Sequence, residues 1–370
     1  MGFEGVPKEM KAVQVVEFNK PYKIHQVPTP SELGDHEVLL KTAVASLCHT
    51  DSMVVEGKFP TRLPCTGSHE GTGVVVASCE RVLTGFKVNN LKKGDRVMAG
   101  IMLNECQSCP SCKRGNDFQQ YCPNVSGLLG VIVNGAFAEY HVSDSRTSCK
   151  IPDNVSFAAA APLACAGCTI YRAILTSGAE KGSWLGLVGA GGGLGHLGIQ
   201  FAKAKGINVV AVDARDAGIE LCKSAGAEHV LDAREGKDEV VKRAQALTNG
   251  QGVDCAVNVS EHETSAGLAC AITKMHGTMI QVAQPPNVSV PFHELVFRDI
   301  RIRGTLVAGQ EISQEMLNEV GRSGIHVETQ VFKGLDKVPD MVELAHSGSL
   351  KGKAVCVVNQ ELVDGDKDKV

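Results

Sequence analysis

The chain has 370 residues, 43% hydrophobic and 21% charged, and its 37 Lys and Arg against 41 Asp and Glu give a net charge of -4. That length suits two domains at ~100–200 residues each, with enough core to fold without disulfide staples. The mildly acidic balance offers no electrostatic footprint for nucleic acid or an anionic membrane, and no apolar run is expected to approach the ~18–20 residues of a membrane span.

The opening stretch, from Met1 to Ala12, has no hydrophobic signal-peptide core, so a cytoplasmic protein is the expectation. In a reducing compartment its 14 Cys point to thiolate or metal chemistry rather than a disulfide framework. The first third reads as β-rich. Short apolar or alternating runs at 12–18, 37–45, 73–77 and 96–99 are separated by Pro, Gly and Asp clusters.

Within this part lie scattered candidate ligands. Cys48 follows a strand in SLCHTD, His69 sits between Gly67 and Gly71, and Cys165 lies in PLACAGCT. Two thiolates and an imidazole would leave zinc a fourth position for water or substrate, an arrangement known from alcohol dehydrogenase. Asp51 is placed to orient a metal-bound imidazole. Each residue also has a plain alternative, a small core Cys or a hydrogen-bonded His, and spacing alone does not bring the three together.

Next comes ECQSCPSCKRGNDFQQYCP, in which Cys106, Cys109 and Cys112 recur every third residue and Cys122 follows. Four thiolates this close suit a tetrahedral ion with no open position, hence a structural zinc. A redox CxxC pair would normally open a helix in a βαβ unit, whereas Pro110 and Gly115 punctuate a loop; an iron–sulfur cluster is the chemical rival.

From about Ser183 the texture changes to strands alternating with helices. Strands are expected at 184–188, 208–212, 229–231, 253–259, 278–282 and 302–307, with a helix over 194–205. This alternation predicts a doubly wound parallel sheet with right-handed crossovers. The first strand runs into VGAGGGLGHLG. Its turn is read as Ala190, Gly191, Gly192, Gly193, Leu194 and Gly195, where backbone N–H groups and a helix N-terminus would hold a pyrophosphate. Asp213, closing the second strand, would receive the adenosine ribose hydroxyls and repel a 2′-phosphate, favouring NAD over NADP. The tail from about residue 310 has a helix over 313–323 and two closing segments that should pack back on the first domain. The charged end, 364–370, is expected to fray.

With these motifs in order, the chain resembles the zinc-dependent medium-chain alcohol dehydrogenases, most of all the yeast ethanol-oxidising branch and its fungal relatives. The resemblance runs from Cys48-His49-Thr50-Asp51 through Gly67-Ser68-His69-Glu70-Gly71, the four-Cys loop, Cys165-Ala166-Gly167 and the glycine turn to Gly352-Lys353. It implies an α/β chain with a β-rich GroES-like catalytic domain over residues 1–166, completed by 308–370, and a Rossmann NAD-binding domain over 167–307. It further implies two zinc ions per chain. Cys48, His69 and Cys165 would hold the catalytic ion with Glu70 beside it, and Cys106, Cys109, Cys112 and Cys122 the structural one. His49 matches a cofactor-pyrophosphate contact, Thr50 the hydroxyl that takes the substrate proton, and Lys353 a second phosphate contact. A homotetramer or homodimer is implied as well.

Three departures bear on substrate. Nine residues separate Cys112 from Cys122 instead of seven, Met53 stands where the yeast branch has a relay histidine, and Phe59 and Met102 replace two bulky tryptophans of its pocket. The expected activity is NAD-linked reversible oxidation of a primary or secondary alcohol larger than ethanol. A non-catalytic, zinc-stabilised nucleotide-binding protein and a zinc-free enone or quinone reductase on the same fold are the rivals.

Overall fold

A computed structural model describes residues 2–79, 90–115, 117–366 and 369. They form two compact units, one of residues 1–166 with 308–370 and the other of 167–307.

The first unit is built on sheets that are antiparallel except for one parallel pair, Thr329–Lys333 with Lys353–Val357. At its centre is Glu37–Ser46, whose run EVLLKTAVAS is buried along almost its whole length, as a strand covered on both faces requires. The larger sheet runs Cys149–Lys150, Arg96–Met98, Glu70–Ser78, Glu37–Ser46, Lys353–Val357, Thr329–Lys333, with Tyr140–Asp144 also pairing with Glu37–Ser46. The tail therefore completes this unit: Val355, Cys356 and Val357 lie opposite Ser46, Ala45 and Val44. On the other side of the same strand, Glu70 lies opposite Ser46 and Gly71 opposite Ala45. That register sets the two ligand-bearing loops, around Cys48 and His69, side by side. A smaller sheet joins Lys23–Pro28, Glu9–Val15 and Cys65–Thr66.

In the second unit six parallel strands run in the order His229–Asp232, Asn208–Asp213, Trp184–Val188, Val253–Asn258, Thr273–Gln281, Arg301–Gly304. Numbered along the chain, this is 3-2-1-4-5-6, the doubly wound order with its switch point beside the first strand. Its core is aliphatic, including Val210, Val212, Leu231, Val253, Ile272 and Met279.

Several expectations change. The first strand begins at Glu9 and ends at Val15 rather than running to Phe18, and the last parallel strand stops at Gly304. A helical run, Phe157–Ser177, is long and apolar enough by composition to cross a membrane, contrary to the expectation that no run is. However, 83% of its most apolar stretch is buried in protein, so its apolarity serves the core. At the end expected to fray, residues 367, 368 and 370 lie outside the described set, but Asp366 is buried and hydrogen-bonded.

Candidate active site

Cys48 caps the helix His49–Val55, and the Asp51 carboxylate reaches back to accept the Cys48 N–H at 2.8 Å. Its other oxygen accepts the Ser68 N–H, also at 2.8 Å. Asp51 is 1% exposed, and burial raises its pKa. One carboxylate thus ties the Cys48 loop to the His69 loop. This departs from the expected role: Asp51 holds two backbones, while His69 Nδ1 has no hydrogen-bond partner. Asp51 acts on the imidazole through its charge. Ser68, which the sequence reading passed over, adopts a left-handed φ of 66° and donates to Ser46 O at 2.8 Å, turning His69 inward.

Cys165 arrives from the far side. The helix Phe157–Pro162 gives way to a π-helical turn, Leu163–Gly167. Pro162 lacks an N–H, which breaks the i→i−4 ladder just where the turn widens. The Ala166 N–H within that turn donates to Glu70 Oε1 at 3.3 Å.

As a result, one donor atom each from Cys48, His69, Glu70 and Cys165 all lie within 4.8 Å of one another. A hydrogen bond from Cys165 drives the Cys48 thiol well below its ordinary pKa against burial, helped by Lys353 and His69. Burial opposes a charged ring at His69, yet the charge and hydrogen bond of Cys48, with Asp51 and Glu70, lift it to about 9. Burial lifts Glu70 to about 7 against the pull of Lys353. Two sulfurs, a nitrogen and a carboxylate at this spacing fit a tetrahedral zinc, the nitrogen and sulfurs being its ordinary donors. Glu70 is therefore more than a neighbour of the ligands: its carboxylate offers a fourth donor atom within the same set.

Lys353 also takes a different part. It is 5% exposed, and its Nζ lies 2.7 Å from Glu70 Oε2 and donates to Leu47 O at 2.9 Å. It anchors Glu70 instead of standing free for a phosphate. His49 is exposed at the start of its helix, and Thr50 Oγ1 lies 3.8 Å from Cys48 Sγ. Phe59 packs at the rim of the Val15, Val54 and Val131 cluster. Met102 is 6% exposed and lies opposite Leu128, which borders the same cluster.

The second set is equally compact: the sulfurs of Cys106, Cys109, Cys112 and Cys122 all lie within 4.8 Å, and all four thiols are free. A tetrahedron of ~2.3 Å zinc–sulfur bonds has edges of about 3.8 Å. Cys106 and Cys122 are 3.5 Å apart. Backbone N–H groups of Cys109 and Cys112 point at the sulfurs of Cys106 and Cys109 at 3.3 and 3.5 Å. Hydrogen bonds from Ser108 and Cys109 bring Cys106 down to about 5. The short helix Pro110–Lys113 and the turn Gln119–Tyr121 absorb the two extra residues without displacing Cys122.

In the second unit the turn after Trp184–Val188 starts one residue earlier than expected. The left-handed residue is Gly189, at φ 85°, and Ala190 follows it. A Cβ on Gly191 would lie 2.2 Å from Gly218 Cα, so the loop meets the helix Asp216–Ser224, which follows the second strand, glycine to glycine. Gly192, Gly193 and Leu194 complete the turn, and Gly195 opens the helix Gly195–Ala204. Asp213 ends its strand facing this loop. Its Oδ2 accepts from Gly191 N at 2.8 Å and its Oδ1 from Ala214 and Arg215 N at 2.9 and 3.0 Å.

Comparison with known proteins agrees with both units. The alcohol dehydrogenase GroES-like domain matches residues 34–153, and the zinc-binding dehydrogenase domain matches 193–322. An alcohol dehydrogenase of Geobacillus stearothermophilus is 33% identical over 356 residues, covering 95% of this chain and all of the relative. The chain belongs to the zinc-dependent alcohol dehydrogenase family. An alcohol dehydrogenase of Schizosaccharomyces pombe is 34% identical, with 90% of this chain and 93% of the relative aligned. Among solved structures, the alcohol dehydrogenase of Aeropyrum pernix superposes with a TM-score of 0.83 at 29% identity, covering 94% of this chain and 99% of the other. Acetophenone reductase from Geotrichum candidum, solved with NAD, gives 0.80 at 25% identity, covering 95% and 98%.

Within this family frame, three contributors escaped the sequence reading: Ser68, the Glu70–Lys353 pair as a unit, and Pro162. Only Pro162 carried a signal, as a proline inside an otherwise helical run.

Proposed function

We propose that the chain catalyses NAD-dependent, reversible oxidation of a primary or secondary alcohol, larger than ethanol, to its carbonyl. The observation that carries this reading is the meeting of Cys48, His69 and Cys165 donor atoms within 4.8 Å in the first unit. A packed-Cys, non-catalytic nucleotide binder would not need that convergence, and neither would a zinc-free reductase.

Zinc, when bound, supplies Lewis-acid polarisation that lets the substrate alcohol lose its proton near neutral pH. NAD, when bound, supplies the hydride acceptor. The chain's own residues do the rest. Asp51 fixes the spacing of the Cys48 and His69 loops. Lys353 neutralises Glu70 and holds its carboxylate at the rim of the donor set. The Thr50 hydroxyl, beside Cys48 Sγ, takes the alcohol proton and passes it outward. The Gly189–Gly195 turn presents backbone N–H groups and a helix N-terminus to the cofactor pyrophosphate, and Asp213 receives the adenosine ribose. His49 is assigned a pyrophosphate contact on the family pattern.

The substrate preference rests on Phe59 and Met102 in place of tryptophans, since each extra buried methylene is worth about 0.8 kcal/mol. The family branch is proposed as the yeast-like one, supported by the Schizosaccharomyces relative. A homodimer or homotetramer is supported by Phe292, Val296 and Phe297, which are 64–70% exposed in the second unit near its edge strand Arg301–Gly304. A cytoplasmic location is supported by 14 cysteines, none of them in a disulfide.

The test is NADH formation across ethanol, hexanol, benzyl alcohol and cinnamyl alcohol with wild type and Met102→Trp. The expected kcat/KM rises ~10²-fold from ethanol to the larger alcohols, and the tryptophan narrows the gap. No turnover of any alcohol rejects the enzyme reading. An optimum at ethanol rejects the size preference.

A further inference from the structure

We propose that Asp366, four residues from the end of the sequence, is a positioning residue for Cys165, acting through the start of the helix that carries this ligand. The inference rests on the reading of Cys165 as a zinc ligand.

The first N–H groups of a helix have no partner within it. In the helix that begins at Phe157, Ser156 Oγ accepts the Ala159 N–H at 3.0 Å. The Phe157 N–H is taken by Asp366 Oδ2 at 2.8 Å, from a residue 209 positions away. The same oxygen receives Arg96 Nη2 at 2.8 Å, and the two side chains are 5% and 18% exposed. Arg96 in turn donates to Pro152 O at 3.1 Å and Val155 O at 2.6 Å, and its guanidinium lies 4.5 Å from the centre of the Phe157 ring. Lys369 Nζ sits 2.8 Å from Asp366 Oδ1. A carboxylate at a helix N-terminus also meets the positive end of its dipole. The helix start is therefore held by the Ser156 hydroxyl together with one buried carboxylate and its arginine.

From Phe157 to Cys165 is about 12 Å of helix rise. The intervening residues are nearly solvent-free: Phe157 is 2% exposed, Ala160, Ala161 and Leu163 0%. Thr72, two residues beyond Glu70 in its strand, donates its hydroxyl to Phe157 O at 3.2 Å. At the other end the Ala166 N–H donates to Glu70 at 3.3 Å within the π turn that carries Cys165. A rod packed this closely carries a shift at its start through to its end. Asp366 fixes that start, so it fixes the register in which Cys165 Sγ meets Cys48 and His69. By contrast, among the described residues no hydrogen bond or ion pair joins Asp366 to Cys106, Cys109, Cys112 or Cys122.

The experiment is zinc release from the holoenzyme to a chromogenic chelator, well below the unfolding temperature. Wild type should release two equivalents per chain in separate phases, and His69→Ala identifies the catalytic phase by its absence. In Asp366→Ala the catalytic phase should quicken ~10–100-fold, the scale on which residues behind metal ligands act, while the structural phase keeps its rate. Asp366→Asn, which can still accept from Phe157 N–H but lacks the charge that holds Arg96, should fall between. It carries the test alone if Asp366→Ala does not fold. Equal acceleration of both phases would show general loosening and overturn the proposal, as would no change in either. A wild type that releases a single equivalent defeats the two-zinc reading itself and the proposal with it.

Discussion

His141 is 2% exposed, its Nδ1 lies 2.8 Å from Thr42 Oγ1, and burial lowers its pKa to about 4. Unfolded, it would titrate near the ordinary ~6.5. Above that pH the ring is neutral in both states and has no effect. As pH falls from ~6.5 to ~4, only the unfolded chain takes up the proton, so stability drops by up to roughly 3 kcal/mol. His141→Gln should flatten the acid side of a urea-midpoint profile relative to wild type, and parallel profiles would reject the assignment. Asp213 should set cofactor choice: wild type should prefer NAD, and Asp213→Gly should move the kcat/KM ratio toward NADP by about one to two decades, on the order of 1–3 kcal/mol. A wild type that prefers NADP contradicts this. Met53 cannot accept a proton beyond Thr50, so alcohol oxidation should climb as pH rises, and Met53→His should flatten the climb. General-base assistance is typically worth ~10²–10⁴-fold, so an unchanged profile in the variant would count against the relay. At this scale the sequence showed which residue types carry chemistry but not whom they touch. Lys353 read as a phosphate contact because a lysine near the end gives no hint that its ammonium is buried against Glu70. Asp51 likewise read as an imidazole partner, when its oxygens go to the N–H groups of Cys48 and Ser68.

Among the elements, the four-Cys loop and the Cys48–His69–Cys165 set should behave oppositely. The loop has little hydrophobic core besides its own sulfurs and Val125. Zinc binding there is folding free energy, so Cys109→Ala should lower the unfolding midpoint markedly. Cys48→Ala removes a ligand from walls already tied by Asp51 and by the strand Glu37–Ser46, so its midpoint should stay within a few degrees while turnover is lost. Thermal scans beside activity assays decide this. A fully stable Cys109→Ala with a fully active Cys48→Ala would reverse the assignment of the two sites. Parallel strands such as Trp184–Val188 were legible because burial on both faces leaves an uninterrupted apolar run. The helix His49–Val55 was not, because seven residues are too few for a 3.6-residue period to show. The turn at Gly189 was placed one residue late, since in a run of glycines only the backbone φ tells which one turns the chain.

Across the whole molecule, the return of the tail to the first unit was legible as too short a segment to fold alone. Its contribution was not. Lys353–Val357 inserts beside Glu37–Ser46, which brings Lys353 to Glu70, and Asp366 reaches Phe157. Contacts separated by more than 200 residues leave no local pattern to read. Thus the candidate metal ligands come from the first half of the chain, while Lys353 and Asp366, which contact Glu70 and the start of the Cys165 helix, come from its last twenty residues. The central claim is that this molecule carries two distinct zinc sites and that the one formed by Cys48, His69 and Cys165 does the chemistry. Zinc content per chain of the purified protein, compared between wild type and His69→Ala, tests it most directly. The account predicts two equivalents in wild type, and one in a folded His69→Ala that no longer reduces NAD with any alcohol. One equivalent in wild type, or two in a His69→Ala variant that still turns over, would contradict it.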